Sequence, residues 1–461
     1  MTTQRGTNLA RTWQALSLRA AGVSLIDCEH RTPPAANVGY PYVAIPQIKN
    51  GHLDLTDARR ITPEHFTEWT RKARPQAHDV ILSRRCNPGE TAVVPLGLEC
   101  ALGQNLVLLR ADGTKVHPAF LRWLVRGPEW WEQIGTFINV GALFDSLKCA
   151  DVPNFTLSIP PIGEQQRIAE ILDALDAKIE LNRRMSETLE TMARTLFKSW
   201  FVDFDPVRGK AAIRREHPKW TNAQVSRAAL PNLAPDIAEI FPDHFEDSCL
   251  GPIPAGWTLS KLADQVEASK GLSYKGSGLA DAGMPMHNLN SVYEGGTYKF
   301  EGIKFYAGEY RERHIVNAGD VIVANTEQGH DCLLLGYAAI VPELFGRQGL
   351  YSHHIYRLQI RAGSPLMPDF LCRLLNSRHM HELVSGFGNG TTVNMLPLDG
   401  VQKPEFILAP GPIIQAFSTL AAGMRRRHEA FISQNRDLAR TRDSLLPRLL
   451  SGDPSVPECD P

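Results

Sequence analysis

Two carboxylates stand two residues apart in LFKSWFVDFDPV, residues 196–207: Asp203 and Asp205, crowded by Phe197, Trp200, Phe201 and Phe204. An acid pair in apolar surroundings can divide general-acid and general-base work, because desolvation drives two carboxyl pKa values apart. The rest of that chemistry is missing. A dyad needs both carboxylates on one cleft with a leaving-group or water partner nearby. Here they follow a helical run whose C-terminal dipole disfavours negative charge, and Asp205-Pro206 is a helix-stopping turn. The aromatic residues read instead as a packing anchor that seats the end of a rod in a neighbouring domain or partner.

Other catalytic signatures are equally thin. The phosphate-cradling G-x-x-x-x-G-K-[ST] pattern and the strained G-x-S-x-G elbow do not occur. GFGNG at Gly386 lacks the spacing of a dinucleotide site and reads as a loop. RCNPGE keeps only the Asn87-Pro88 part of the N-P-P-aromatic corner of adenine methyltransferases, so it reads as a turn. His353 and His354 are adjacent; in a strand they face opposite ways and cannot share one metal. Eight scattered cysteines without C-x-x-C spacing imply reduced thiols and no structural zinc. No catalytic residue and no metal site is expected.

The elements that carry these residues are more informative. From Gly163, GEQQRIAEILDALDAKIELNRRMSETLETMARTLFKSWF runs without proline or further glycine. Ile171, Lys178, Met185 and Met192 form one heptad row; Leu175, Asn182, Leu189 and Leu196 form the other. Two rows at 3.5-residue spacing predict a coiled-coil seam, in which Asn182 would fix register at some cost in stability. At 1.5 Å per residue the rod is roughly 55 Å long. Near the C-terminus Phe417, Met424, Phe431, Leu438 and Leu445 recur every seventh position. That helix should start after Pro412 and end by Gly452, with Pro447 disturbing its last turn. Two such seams satisfy each other most simply as an antiparallel pair.

What precedes each helix repeats. HDVILSRR at His78 parallels GDVIVANT at Gly319, PAFLRWLV at Pro118 parallels PDFLCRLL at Pro368, GYPY at Gly39 parallels GMPM at Gly283, and VPNFTLSIPPI at Val152 parallels KPEFILAPGPI at Lys403. Matches in constant order at a slowly growing offset indicate two diverged copies of one module. Short β-branched runs such as DVILS, QNLVLLR and DVIVA predict strands, with shorter helices at Pro118 and Pro368, so each module is α+β. The expected plan is residues 1–160 as the first module, 161–205 as the first long helix, 206–250 as a surface linker rich in proline, 251–411 as the second module, 412–451 as the second long helix and 452–461 as a tail.

At 461 residues, 43% hydrophobic and 21% charged, the chain has the composition of a folded protein of two or more domains. It shows no signal-peptide core and no apolar run of membrane-spanning length, so a cytoplasmic location is expected. The formal net charge of −1 gives no global support for nucleic-acid binding. Local basic clusters interleaved with amides and aromatics do occur. Arg84 and Arg85 at the end of one strand, and Asn325 at the matching end in the second copy, lie where loops present groups to base edges.

Together LIDCEHRTPP at Leu25, GQNLVLLR at Gly103, PPIGEQQRIAEIL at Pro160, LFKSWFVDFDPV, FPDHFEDSCLGPIPAGW at Phe241 and KGLSYKG at Lys270 resemble the DNA-specificity subunits of type I restriction–modification systems, over almost the whole chain. The resemblance implies an α+β fold with two duplicated target-recognition domains joined by two long antiparallel coiled-coil helices in a pseudo-twofold arrangement. It implies that each domain reads half of a split double-stranded DNA target. The helices would serve as ruler and docking site for two methyltransferase subunits, with two restriction/translocase subunits completing the complex. S-adenosylmethionine would belong to the methyltransferase, ATP and Mg2+ to the translocase, and none to this chain. The G-W pair found at Gly256-Trp257 has no clear counterpart near the N-terminus beyond Trp13, and the near-zero charge implies that partners supply many phosphate contacts. Half-sites read from one DNA face lie about 34–36 Å apart, within reach of such a rod. The candidate DNA-contacting residues are Arg31, Lys49, Asn50, Arg84, Arg85 and Asn87 in the first module, and Lys270, Tyr274, Lys275, Asn288, Asn290, Asn325 and Gln328 in the second. The competing reading is a coiled-coil scaffold that binds proteins or glycans without DNA; it predicts binding insensitive to salt. An enzyme in its own right would need the motifs that are missing.

Overall fold

A computed structural model of the chain describes residues 13–141, 145–328, 333–390 and 393–451. The tail at 452–461, and Cys332 and Cys459, lie outside the described residues. The chain divides into two units, Met1–Leu181 with Gln434–Pro461, and Asn182–Ser433.

In the first unit, the run Val80-Ile81-Leu82 is buried throughout and forms the centre of a four-stranded antiparallel sheet. Its order is Val23–Asp27, Leu106–Ala111, Val80–Ser83, Thr91–Val93. A continuous apolar run, rather than an alternating one, is what a strand covered on both faces requires. A smaller sheet sets Tyr40–Val43 parallel to Ala101–Leu102 and antiparallel to Arg60–Ile61. Helices Pro118–Leu124 and Pro128–Phe137 each begin with a proline, whose missing N–H costs nothing in a first turn.

The second unit builds the same strand order again: Val266–Lys270, Ile355–Ile360, Val321–Ala324, Ala338–Ile340. Met284–His287 runs parallel to Gln348–Tyr351 and antiparallel to Lys304–Tyr306. The closing strand pairs match too, Gln14–Ser17 with Thr156–Ile159 in one copy and Thr258–Lys261 with Glu405–Leu408 in the other. The duplication visible in the sequence is a duplication of topology.

Two helices of 40 residues, Ile162–Phe201 and Gly411–Leu450, each contribute to both units. Within the first unit, Asp176 meets Arg442 and the Ile179 carbonyl meets Asn435, so one helix ascends as the other descends. The second helix continues through Pro447 to Leu450, against expectation. The carbonyl that the proline leaves without a donor belongs to Asp443, which is solvent-exposed, so water can satisfy it. Among the described residues, no helix is long and apolar enough to cross a membrane.

The buried stripe of the first long helix lies one residue beyond part of the expected seam. Asn182 is fully buried, and Leu175, Leu189 and Leu196 are half-buried, as is Ile171. Met185 and Met192, however, are 37% and 50% exposed. The second buried row is Leu172, Ser186, Ala193 and Trp200, with Ile179 half-buried between them. Serine and alanine carry little hydrophobic signal, so the methionines beside them looked like the better seam residues. On the second helix Phe417 and Phe431 are buried, and Met424, Leu438 and Leu445 half-buried.

The segment at 206–250 is a folded element, not a linker. Helices Asp205–Glu216, Asn222–Ala229 and Pro235–Glu239 precede a strand pair, Phe245–Glu246 with Ile253–Pro254. Phe204 adopts φ 56° and reverses the chain, which turns Pro206 from a breaker into a helix-starting residue. Thr221 and Gln224 form a capping box. Lys210 is fully buried, and its ammonium donates to Asn222 Oδ1 and to the carbonyls of Ala238 and Phe241 at 2.8, 3.1 and 2.5 Å.

The aromatic anchor sits in the core of the second unit. Phe197 and Phe201 pack on Phe370 and Phe417, Trp200 meets Phe241 edge-on at 4.9 Å, and Phe204 meets Trp257 at 5.5 Å. Asp203 and Asp205 point to no shared cleft: Asp203 is ion-paired with Lys198, and Asp205 opens the next helix. Truncating Trp200 to Ala should therefore lower unfolding free energy by about 3–5 kcal/mol, as loss of a buried aromatic does. Met192→Ala should change it by less than about 0.5 kcal/mol. Denaturant melts of the two variants check the phase of the seam, and equal losses would restore Met192 to it.

Candidate nucleic-acid interface

The first module carries a hairpin, Ile48–Lys49 with His52–Leu53, whose turn is Asn50-Gly51. Both turn residues have positive φ, 51° and 84°, the conformation for which Asn-Gly is the preferred pair. Lys49 pairs with Asp54 at 2.6 Å, and Asn50 is exposed at the tip. Behind the tip, His52 Nε2 lies 3.0 Å from Asp176 Oδ2. The same carboxylate accepts from Arg122 and, at 2.6 Å, from Arg442. Burial alone would raise the Asp176 pKa; the hydrogen bond from His52 and the charges and bonds of Arg122 and Arg442 outweigh it and hold the group well below the usual carboxylate range. Hairpin, module helix and both long helices are thus joined at one charge.

The remaining candidates of the first module are placed as follows. Arg31 is ion-paired with Glu68 at 2.7 Å and lies 4.8 Å over the Trp69 ring. Arg84 is half-buried, and Arg85 and Asn87 are exposed beside it. In the second module Lys270, Lys275, Asn290 and Gln328 are exposed, and Tyr274 is half-buried against Tyr306.

Two second-module candidates are withdrawn from the contact set. Asn288 is 5% exposed; its amide donates to the carbonyls of Met286 and Gly302, and its Oδ1 accepts from the Asn290 backbone. Asn325 is 1% exposed, donating to the His353 carbonyl at 3.0 Å and accepting from Thr326 Oγ1 at 2.6 Å. Amides buried this deeply, with their hydrogen bonds serving the fold, are not presented to a base edge. Sequence position gave both residues the right chemistry without revealing that it was already in use.

A group that sequence reading passed over is Asp27, Cys28 and His30, whose ligand-capable atoms lie within 4.8 Å of one another. The Cys28 thiol is buried, donates to the Gly103 carbonyl at 3.2 Å, and has its pKa pushed up to about 11, chiefly by burial. A thiolate is therefore costly there, which disfavours a metal. Both ring nitrogens of His30 face oxygen acceptors, Asp27 Oδ2 at 3.0 Å and the Gln104 carbonyl at 2.9 Å. The cluster braces the Gly103-Gln104 corner. The spacing D-C-x-H was visible in the sequence, but its backbone targets were not.

Residues 30–191 match the profile of the type I restriction modification DNA specificity domain. By that match the chain resembles the type I specificity subunits. The HindI specificity subunit of Haemophilus influenzae is 25% identical over 397 residues, covering 76% of this chain and 80% of that protein. The MjaIX specificity subunit of Methanocaldococcus jannaschii is 23% identical over 403 residues, covering 87% of this chain and 83% of that protein. Among solved structures, the S subunit of the type I restriction–modification system from M. genitalium superposes with a TM-score of 0.54 at 13% identity, covering 97% of this chain and 99% of that chain. The fold is therefore shared despite the low identity.

Replacing Asp176 with Asn should be costly, because it removes the buried anion that Arg122 and Arg442 share and leaves them only the more exposed Asp173 and Asp443; a loss of at most about 3–5 kcal/mol is expected. The lowered pKa also fixes a sign. The stabilisation from Asp176 is present above the unfolded carboxyl value of about 3.9 and is lost as pH falls below it. Stability measured between pH 6 and 3 should decline more shallowly in the variant than in the parent chain, and parallel curves would remove Asp176 from the acid response.

Proposed function

We propose that this chain is the non-catalytic DNA-recognition subunit of a type I restriction–modification complex. Each module reads one half of a bipartite double-stranded target across an unspecified spacer. The observation that carries the reading is that one strand order is built twice in a chain that resembles this family: a split target needs two readers. The modules correspond to residues 1–160 and 251–411, joined through the two long helices.

Adenine methylation, with S-adenosylmethionine, is assigned to two methyltransferase subunits. Cleavage and translocation, with ATP and Mg2+, are assigned to two further subunits in the cytoplasm. Met185, Met192 and Leu420, exposed on the long helices within the second unit, are apolar surface suited to covering by a methyltransferase subunit. Arg31, Lys49, Asn50, Arg84, Arg85 and Asn87 in the first module, and Lys270, Tyr274, Lys275, Asn290 and Gln328 in the second, stay in the DNA-contact set, all of them exposed except the half-buried Arg84 and Tyr274. That exposure supports the assignment.

Mapping methylated adenines in cells that express the chain with its methyltransferase partner tests the proposal. A motif of two short blocks around a fixed gap is expected, absent from cells lacking this chain; an assembled complex that yields no motif overturns it. Binding of the complex to DNA should also weaken with salt at a slope of about −0.9 per phosphate neutralised. A flat salt response would favour the scaffold reading.

A further inference from the structure

The duplication allows the two copies to be aligned through their hydrogen bonds, without reference to side chains. In the first unit Leu106 pairs with Ser83; in the second Ile355 pairs with Ala324. The next bond is the Arg84 N–H to the Asn105 carbonyl at 3.0 Å, matched by the Asn325 N–H to the His354 carbonyl at 3.1 Å. Gly103 N–H donates to the Val43 carbonyl, and Ser352 N–H donates to that of His287. Leu147 N–H donates to the Arg84 carbonyl, and Leu396 N–H donates to that of Asn325. The backbone corner is thus the same in both copies, with Gln104 standing where His353 stands and Asn105 where His354 stands.

Along this alignment the apolar positions remain apolar: Val80 and Val321, Ile81 and Ile322, Leu109 and Leu358, Leu147 and Leu396 are all buried. The corner does the opposite. It is polar in both copies yet carries two amides in one and two imidazoles in the other. A structural corner would keep its residue type or drift to any solvated one. A surface that reads two different half-sites must keep hydrogen-bonding capacity while changing its pattern.

The side chains have that capacity to spare. Among the described residues neither the Gln104 nor the Asn105 amide has a hydrogen-bond partner. Both line a cleft of about 340 Å³ together with Gln47, Asp57 and Arg59. His353 and His354 have ring centroids 3.8 Å apart, and His353 Nδ1 is buried without a partner among the described residues. His354 Nδ1 lies 3.2 Å from Thr326 Oγ1, and burial followed by the neighbouring His353 charge lowers its pKa. A neutral imidazole offers one donor and one acceptor. The first corner is also braced from behind by Cys28 and His30, the rigid support that base readout requires.

Resting on the function proposed above, we propose that Gln104 and Asn105 read base edges of one half-site, and that His353 and His354 read base edges of the other. Amides pair bidentately with adenine N6 and N7. Imidazoles meet single donors or acceptors on the major-groove edge. The two halves of the target should therefore differ in base.

The test is methylation by the complex assembled with its methyltransferase subunits, on libraries carrying every single-base change in the target. Gln104→Ala with Asn105→Ala should loosen preference at one or two positions of one half-site, on the order of 10- to 100-fold, and leave the other half-site unchanged. His353→Ala with His354→Ala should do the converse. Gln104→His with Asn105→His keeps the corner polar and should change the preferred bases of the first half-site; it decides the matter if the alanine variant fails to assemble. Assembled variants that keep the parental preferences in both halves overturn the assignment. So does a uniform loss across all sequences, which would mark phosphate contacts. If the parent complex itself methylates no bipartite motif, the recognition function falls together with this assignment.

Discussion

A single buried carboxylate determines how the first unit is assembled. Asp176 lies on a helix of 40 residues, yet its three partners come from elsewhere: Arg122 from the module's own helix, Arg442 from the other long helix and His52 from the Asn50-Gly51 hairpin. Removing such a charge from water is expensive, and only good geometry with several donors offsets the cost. Apolar contacts along a seam tolerate sliding by a turn; a buried anion with three fixed donors does not. The second unit uses the same device with other residues, Arg373 on Glu190 and Arg425 on Asp369. Ion pairs thus set the register that leucines and alanines alone would leave loose, which explains a seam containing Asn182, Ser186 and Arg442.

That register matters because reading groups are useful only if they are held still. The hairpin tip with Lys49 and Asn50 is tied to the long helix through His52, and the Gly103-Gln104 corner is tied to the module through Cys28 and His30. In each case the exposed polar residue is a near neighbour of one committed to the fold. The second module follows the same rule: Asn290 is exposed while Asn288, two residues earlier, caps the backbone beneath it. Function and support alternate along the chain at short range.

This alternation explains what the sequence revealed and what it hid. Repeats, strand runs, long helices and the aromatic anchor depend on composition and period, so they could be read directly. The Asn50-Gly51 turn was passed over in the sequence, although that pair is a local turn signal. The phase of the seam was not legible, because Ser186 and Ala193 are buried for their small size while Met185 beside them is more apolar and exposed. Segment 206–250 read as a linker because its prolines looked like breakers; three of its helices place proline or a capping threonine at the start, where they help. Asn288 and Asn325 were misplaced since an amide's hydrogen-bond partners follow from tertiary contacts, not from neighbours in sequence. His353 and His354 were weighed only as metal ligands, and their pairing with Gln104 and Asn105 emerges only from the hydrogen-bond register.

The corner shared by the two modules is closed by main-chain bonds: from the N–H groups of residues 84 and 103 in one copy, and of 325 and 352 in the other. No side chain at 104, 105, 353 or 354 is needed to close it. Substitution there spends little of the folding stability that core positions would forfeit. Under the proposed assignment, single replacements there would change the target while the chain stays folded. The scaffold is robust at the positions where variety is useful, and that robustness is a source of evolvability.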